Sequence, residues 1–157
     1  MTAVIGCGNP NRCDDGVGGE VLRLLRSRGV ARDVKLLDAG TNGVSVMFAA
    51  RGCRRLIVVD ACRTGADPGA VFEVPGEELE DGDGPPLGTH AFRWDHAIAA
   101  GRRIFRDAFP ADVTVFLIEA ETLELGVGLA PRVATAAAKV ADRVAALVAP
   151  SPAVVSP

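Results

Sequence analysis

The sequence predicts an α/β fold, a three-layer α/β/α single domain around a mostly parallel twisted sheet of about five strands with one antiparallel strand. Three observations carry this expectation. Short apolar runs alternate with amphipathic helical stretches along the whole chain, the pattern of strands joined by covering helices. One run, Leu56-Ile57-Val58-Val59, is continuously aliphatic, as strands buried on both faces of a parallel sheet are. The length, 157 residues with 48% hydrophobic and 24% charged, suits one soluble domain with a real core. That domain is expected over 1–149, with 150–157 as a frayed tail.

The elements follow in order. Residues 3–7 are apolar and end in Gly6-Cys7-Gly8-Asn9-Pro10, a cluster of turn formers, so they read as the first strand and its carboxyl-end loop. From 15 to 28, Val17, Val21, Leu24 and Leu25 recur with helical spacing, with Asp14 or Asp15 available as the N-cap and Gly29 as the stop. Gly18 and Gly19 let this helix approach the sheet closely. A strand over 34–39, a short helix over 44–50 and the aliphatic strand ending at Asp60 come next. The run at 70–74 is reached through Gly65 and Pro68, a connection too short for a parallel crossover, so it is antiparallel to its predecessor if paired with it.

Residues 76–88 form an acidic, Gly/Pro-rich loop whose length suggests a mobile or substrate-facing segment. A helix over 92–106, with Thr89 as a cap, carries Trp94, Ala97, Ile98, Gly101, Ile104 and Phe105 on one stripe and Arg93, His96 and Arg103 on its polar side. A last strand spans 113–118. An Ala/Val-rich helix over 131–148 turns Val133, Ala137, Val140, Val144 and Leu147 inward. If the first two helices lie on opposite faces, the first strand sits between the second and the 56–59 strand. A topological switch point then opens between the loops after Gly8 and after Val59.

Composition excludes several function classes. With 17 basic against 20 acidic residues the net charge is −3, and no Lys/Arg block exceeds two residues, which argues against nucleic-acid and anionic-membrane partners. The apolar runs fall far short of the ~20 residues that span a bilayer. Val4-Ile5-Gly6-Cys7 mimics a lipoprotein cleavage box without a charged leader before it, and a cytoplasmic protein is expected. Four cysteines, at 7, 13, 53 and 62, lack C-x-x-C spacing and read as reduced thiols. Cys13 stands beside two aspartates that disfavour a thiolate and the others lie in or beside apolar runs, so a catalytic thiol is not expected.

Ligands of open α/β sheets bind outside the carboxyl ends of the strands, and carboxylates gather there: Asp14, Asp15, Asp38, Asp60, Glu119 and Glu121. Most have an ordinary alternative, Asp14 or Asp15 as helix caps, Asp38 as a turn residue, Glu119 and Glu121 as solvated loop charges. Asp60, directly after four aliphatic residues, needs a partner that a plain core does not supply. Of the two histidines, His96 reads as a surface residue and His90 precedes its helix in a loop that can reach the crevice. Asp15, Asp60 and His90 together offer two carboxylates and one imidazole, a metal-ligand set with positions left open for water or substrate. A nucleotide site is not expected. Position 11 is Asn11 where G-x-G-x-x-G wants its third glycine, no P-loop lysine is present, and two aspartates at the helix head repel a pyrophosphate.

Gly6-Cys7-Gly8-Asn9, followed after four residues by Asp14-Asp15-Gly16-Val17-Gly18, resembles the opening motif of the hydrogenase maturation proteases, which trim the large subunit of nickel-iron hydrogenases. Asp38-Ala39-Gly40-Thr41, Val59-Asp60-Ala61, Thr89-His90, Glu119-Ala120-Glu121-Thr122-Leu123 and Gly128-Leu129-Ala130-Pro131 are similar to later segments of that family, in the same order. The resemblance implies an endopeptidase that removes a carboxyl-terminal extension from a nickel-loaded large-subunit precursor. It implies metal binding and catalysis at Asp15, Asp60 and His90. The resemblance further implies that the divalent metal is nickel, held by the chain or supplied by the substrate, with zinc or cadmium as surrogate. Two other readings are carried: a non-enzymatic metal-dependent chaperone or binding module on the same fold, and a peptidyl-tRNA hydrolase, whose start Gly6-x-Gly8-Asn9-Pro10 also resembles. The latter wants a basic face for RNA, which this acidic chain lacks.

Overall fold

A computed structural model describes residues 1–30, 33–79 and 94–150. Five strands form one sheet in the order β2-β1-β3-β5-β4. They are β1 (Thr2–Cys7), β2 (Val34–Gly40), β3 (Arg55–Cys62), β4 (Val71–Pro75) and β5 (Asp112–Glu119). The first four neighbours are parallel and β4 runs antiparallel to β5. Four α-helices accompany them: α1 (Val17–Ser27), α2 (Gly43–Ala50), α3 (Trp94–Phe105) and α4 (Pro131–Val148). The expected α/β class and the single antiparallel strand are both present. The 70–74 segment, however, pairs with β5 rather than with its predecessor, because β5 inserts between β3 and β4.

Alternation along the central strands divides the core into two. Val4, Ile57, Val59, Phe116 and Ile118 face α1 and α4, meeting Val17, Val21, Leu25, Val133, Val140 and Val144. Ile5, Leu56, Val58, Val115 and Leu117 face α2 and α3, meeting Val46, Met47, Trp94, Ala97 and Ile98. Both sides of β1, β3 and β5 are therefore dry, which is why these strands read as aliphatic runs. With α1 and α2 on opposite faces, the chain leaves β1 for β2 and returns past β1 to β3, so the switch point lies at the carboxyl ends of β1 and β3 as expected.

Local details depart from expectation in three places. Neither Asp14 nor Asp15 caps α1; a 3-10 turn over Cys13–Gly16 precedes the helix, and Gly16 occupies the cap position without a side-chain bond. Ile104 is 62% exposed, because the last turn of α3 extends past the buried face and only Phe105 finds cover, against Phe48 at 5.5 Å between ring centroids. Both β3 and β5 run on further than expected, β3 to Cys62 past Asp60 and β5 to Glu119, so Glu119 lies within a strand and not in the loop after it. The Thr89 cap, His90, residues 80–88 of the acidic loop and the tail beyond Pro150 lie outside the described residues.

Candidate functional site

The head of α1 is pressed against the strand ends by small residues. A Cβ on Gly18 would stand 2.7 Å from the Val59 carbonyl oxygen and overlap the Cys7 backbone, so only glycine permits the helix to start over the β1–β3 seam. Gly8, with φ of 127°, would overlap the Asp15 carbonyl oxygen if it carried a side chain. These two glycines bring Asp15 back over the end of β1, where the Asn9 N–H donates to Asp15 Oδ2 at 2.8 Å. Asp15 is 2% exposed.

Asp60 reaches the same seam from β3. The period of two places it on the face of Leu56 and Val58, toward α3, and the Trp94 indole N–H donates to Asp60 Oδ2 at 3.0 Å. The Ala61 N–H donates to Oδ1 at 2.8 Å. Burial and then the negative charge of Asp15 push the Asp60 carboxyl up to about 7, against the lowering effect of its two hydrogen bonds. The charge of Asp15 is therefore felt at Asp60. His90, the third expected member, lies outside the described residues, and among the described residues no three His, Cys, Asp or Glu side chains converge as a metal group would.

The other strand-end carboxylates have structural duties. Asp14 is fully buried and accepts from the Glu121 and Thr122 N–H groups through Oδ2, both at 2.9 Å, and from the Ala130 N–H through Oδ1 at 2.7 Å. Glu119, expected to be solvated, is 2% exposed and accepts from the Thr64 hydroxyl at 2.8 Å, the Thr64 N–H at 2.9 Å and the Gly65 N–H at 3.1 Å. Burial pushes its carboxyl up, but the bonds from Thr64, the Cys62 thiol and Gly65 outweigh this and hold it below the ordinary range. Asp38, expected as a turn residue, lies in β2 and accepts from the Gly40 N–H at the end of the strand, while Glu121 and His96 are exposed, as expected.

Two of the thiols, Cys7 and Cys62, are poor nucleophiles. Burial pushes Cys7 well up, helped by the charges of Asp60, Asp38 and Asp15, and burial with the Glu119 bond takes Cys62 up to about 12. Sequence reasoning assigned Trp94 only to the apolar stripe and missed its bond to Asp60. The signal available was that the chain's single indole, once buried, needs an acceptor for its N–H. A cleft of about 620 Å³ beside Gly52, Arg54 and Arg106 opens at the other end of the sheet and shares no residue with this site.

A divalent cation fits the donor set present. Asp15 and Asp60, two nearly fully buried carboxylates that repel each other, would hold such a cation through hard oxygen donors, and its charge would offset their repulsion. No described helix is long and apolar enough to cross a membrane.

Comparison with known proteins bears on the same elements. Over 132 residues the chain is 28% identical to the hydrogenase 2 maturation protease of Escherichia coli K12, covering 83% of this chain and 79% of that protein. It is 34% identical over 85 residues to the coenzyme F420 hydrogenase subunit delta of Methanothermobacter thermautotrophicus, and 32% identical over 78 residues to a relative from Methanocaldococcus jannaschii. The chain spans about half the length of these last two, 54% and 51%. Its fold matches the hydrogenase maturating endopeptidase of Escherichia coli with a TM-score of 0.80 at 24% identity, covering 94% of this chain and 91% of that one. It also matches a nickel-iron hydrogenase maturation protease from Thermococcus kodakarensis, with a TM-score of 0.80 at 23% identity over 95% and 100% of the two chains. The family model described as hydrogenase maturation protease matches residues 20–147, which takes in α2 and α3, most of α1 and α4, and all strands except β1. The chain belongs to the hydrogenase maturation protease family.

Proposed function

We propose that this chain is a cytoplasmic endopeptidase that removes a carboxyl-terminal extension from a nickel-loaded nickel-iron hydrogenase large-subunit precursor. The observation that carries the reading is the pair Asp15 and Asp60, buried together at the β1–β3 switch point of a hydrogenase maturation protease fold. His90 completes the set in this reading. Four unpaired cysteines suit a reducing compartment.

When bound, the nickel of the precursor, or a resident zinc or cadmium in its place, would supply the electrophile for polarising a carbonyl or activating water. The chain's own residues do the rest. Asp15 and Asp60 would hold the cation through carboxylate oxygens, Asn9 and Trp94 orient those carboxylates, and the flanking cores keep bulk water from the seam. Asp60 must shed its proton to bind, so binding strengthens as pH rises toward 7. The Cys7 and Cys62 thiols, raised by burial, take no part.

The test is incubation of nickel-loaded and nickel-free precursor with the chain, followed by intact mass measurement. Loss of the extension is expected only with nickel, and Asp15→Ala, Asp60→Ala and His90→Ala should each abolish it while circular dichroism stays unchanged. Equal processing of nickel-free precursor, or activity that survives all three substitutions, would overturn the proposal.

A further inference from the structure

Residues 120–130, which join β5 to α4, are tied to the turn that carries Asp15. Arg12 and Gly126 form a parallel bridge, in which the Cys13 N–H donates to the Gly126 carbonyl and the Gly126 N–H to the Asn11 carbonyl, both at 2.9 Å. The Asp14 N–H donates to the Thr122 carbonyl at 3.2 Å, and the buried Asp14 carboxylate holds three N–H groups of the same segment. The backbone is thus ordered from both sides of Gly126. The side chains flanking that glycine nevertheless point outward, with Leu125 79% and Val127 86% exposed.

Single exposed aliphatics are ordinary. Here two lie one residue apart on a segment whose ordering entropy is already met by interior bonds, next to the head of α1. A pre-ordered apolar contact of this kind binds with little further entropy loss. Glu121 and Glu124 are also exposed on the segment, which favours a partner combining apolar side chains with a basic residue.

We propose that residues 121–130 are the docking loop for the polypeptide that the Asp15–Asp60 site acts on. Leu125 and Val127 pack against apolar side chains of the precursor beside the scissile bond, and Glu121 and Glu124 attract a basic residue of the same stretch. The occupant follows from continuity, because the loop and Asp15 are held by one turn and a chain lying across Asp15 meets the loop. This inference rests on the function proposed above and adds where the substrate is gripped.

The experiment measures binding of fluorescently labelled, nickel-loaded large-subunit precursor by anisotropy, and its cleavage, for the full chain and for a Leu125→Ser/Val127→Ser double variant. Full burial of one such side chain is worth about a tenfold factor or more in affinity, so Kd and KM should rise at least about tenfold in the variant. Its kcat should stay within about twofold and its melting temperature should not move, since neither side chain packs inside the protein. A Glu121→Gln/Glu124→Gln variant should bind several-fold more weakly with a flatter salt dependence. Unchanged Kd and KM in the Leu125/Val127 variant overturn the docking loop. A wild-type chain that binds the precursor and leaves it whole sinks the proposed activity, and the loop then stands or falls on the binding ratio alone. A wild-type chain that does not bind the precursor overturns the loop.

Discussion

Replacing Asp60 by asparagine should stabilise the metal-free protein at mildly alkaline pH while abolishing processing. The carboxyl titrates near 7 in the fold, against 3.8 ordinarily, through burial first and the charge of Asp15 second. Between those values the folded chain holds a proton that the unfolded chain has released, so stability falls as pH rises from about 4 to about 7 and levels above. At 1.36 kcal/mol per unit the difference amounts to about 4 kcal/mol. Asparagine never ionises and so avoids this cost. Its single oxygen serves only one of the Ala61 and Trp94 donors, and the lost bond costs about 1 kcal/mol. The variant should therefore exceed the wild type by about 3 kcal/mol near pH 8 and fall about 1 kcal/mol below it near pH 4. Urea titrations followed by circular dichroism in the presence of a chelator, at several pH values, give the difference curve, in which other titrating groups cancel. A flat difference curve, or a variant no more stable than the wild type at pH 8, would refute the electrostatic account of the site.

The neighbouring aspartate should behave oppositely. Asp14→Asn turns an amide donor toward N–H groups that now reach an oxygen, costing roughly 2–4 kcal/mol and lowering Tm by about 5–10 °C; an unchanged calorimetric Tm would contradict its role as the clamp of residues 121–130. Cys7→Ala, Cys13→Ala, Cys62→Ala and His96→Ala should each leave processing of the precursor within about threefold of wild type, since none is assigned to the reacting atoms and surface or small-residue changes cost little. A cysteine variant that folds and does not cut would replace the metal-guided reading with a thiol mechanism.

Much of this protein is legible in its sequence. Periodicity alone marks α1, α4 and the central strands, because a strand or helix that must bury a face repeats its apolar residues at the spacing of its own geometry. The carboxylates after such runs stand out as well, since a charge beside four aliphatics has no solvent to satisfy it, and this is how Asp60 is found. What sequence cannot separate is Asp14 from Asp15. Adjacent and identical in kind, both look like helix caps, yet the 3-10 turn over Cys13–Gly16 points one to the Asp60 seam and the other to the backbone of residues 121–130, more than a hundred positions away. The same limit hides Glu119, whose partners Thr64 and Gly65 lie on another strand's exit, and Trp94, whose acceptor is on β3. Local pattern records which surface an element must bury. Which polar groups meet once those surfaces are buried depends on strand order, and the insertion of β5 between β3 and β4 is decided only when all five strands pack.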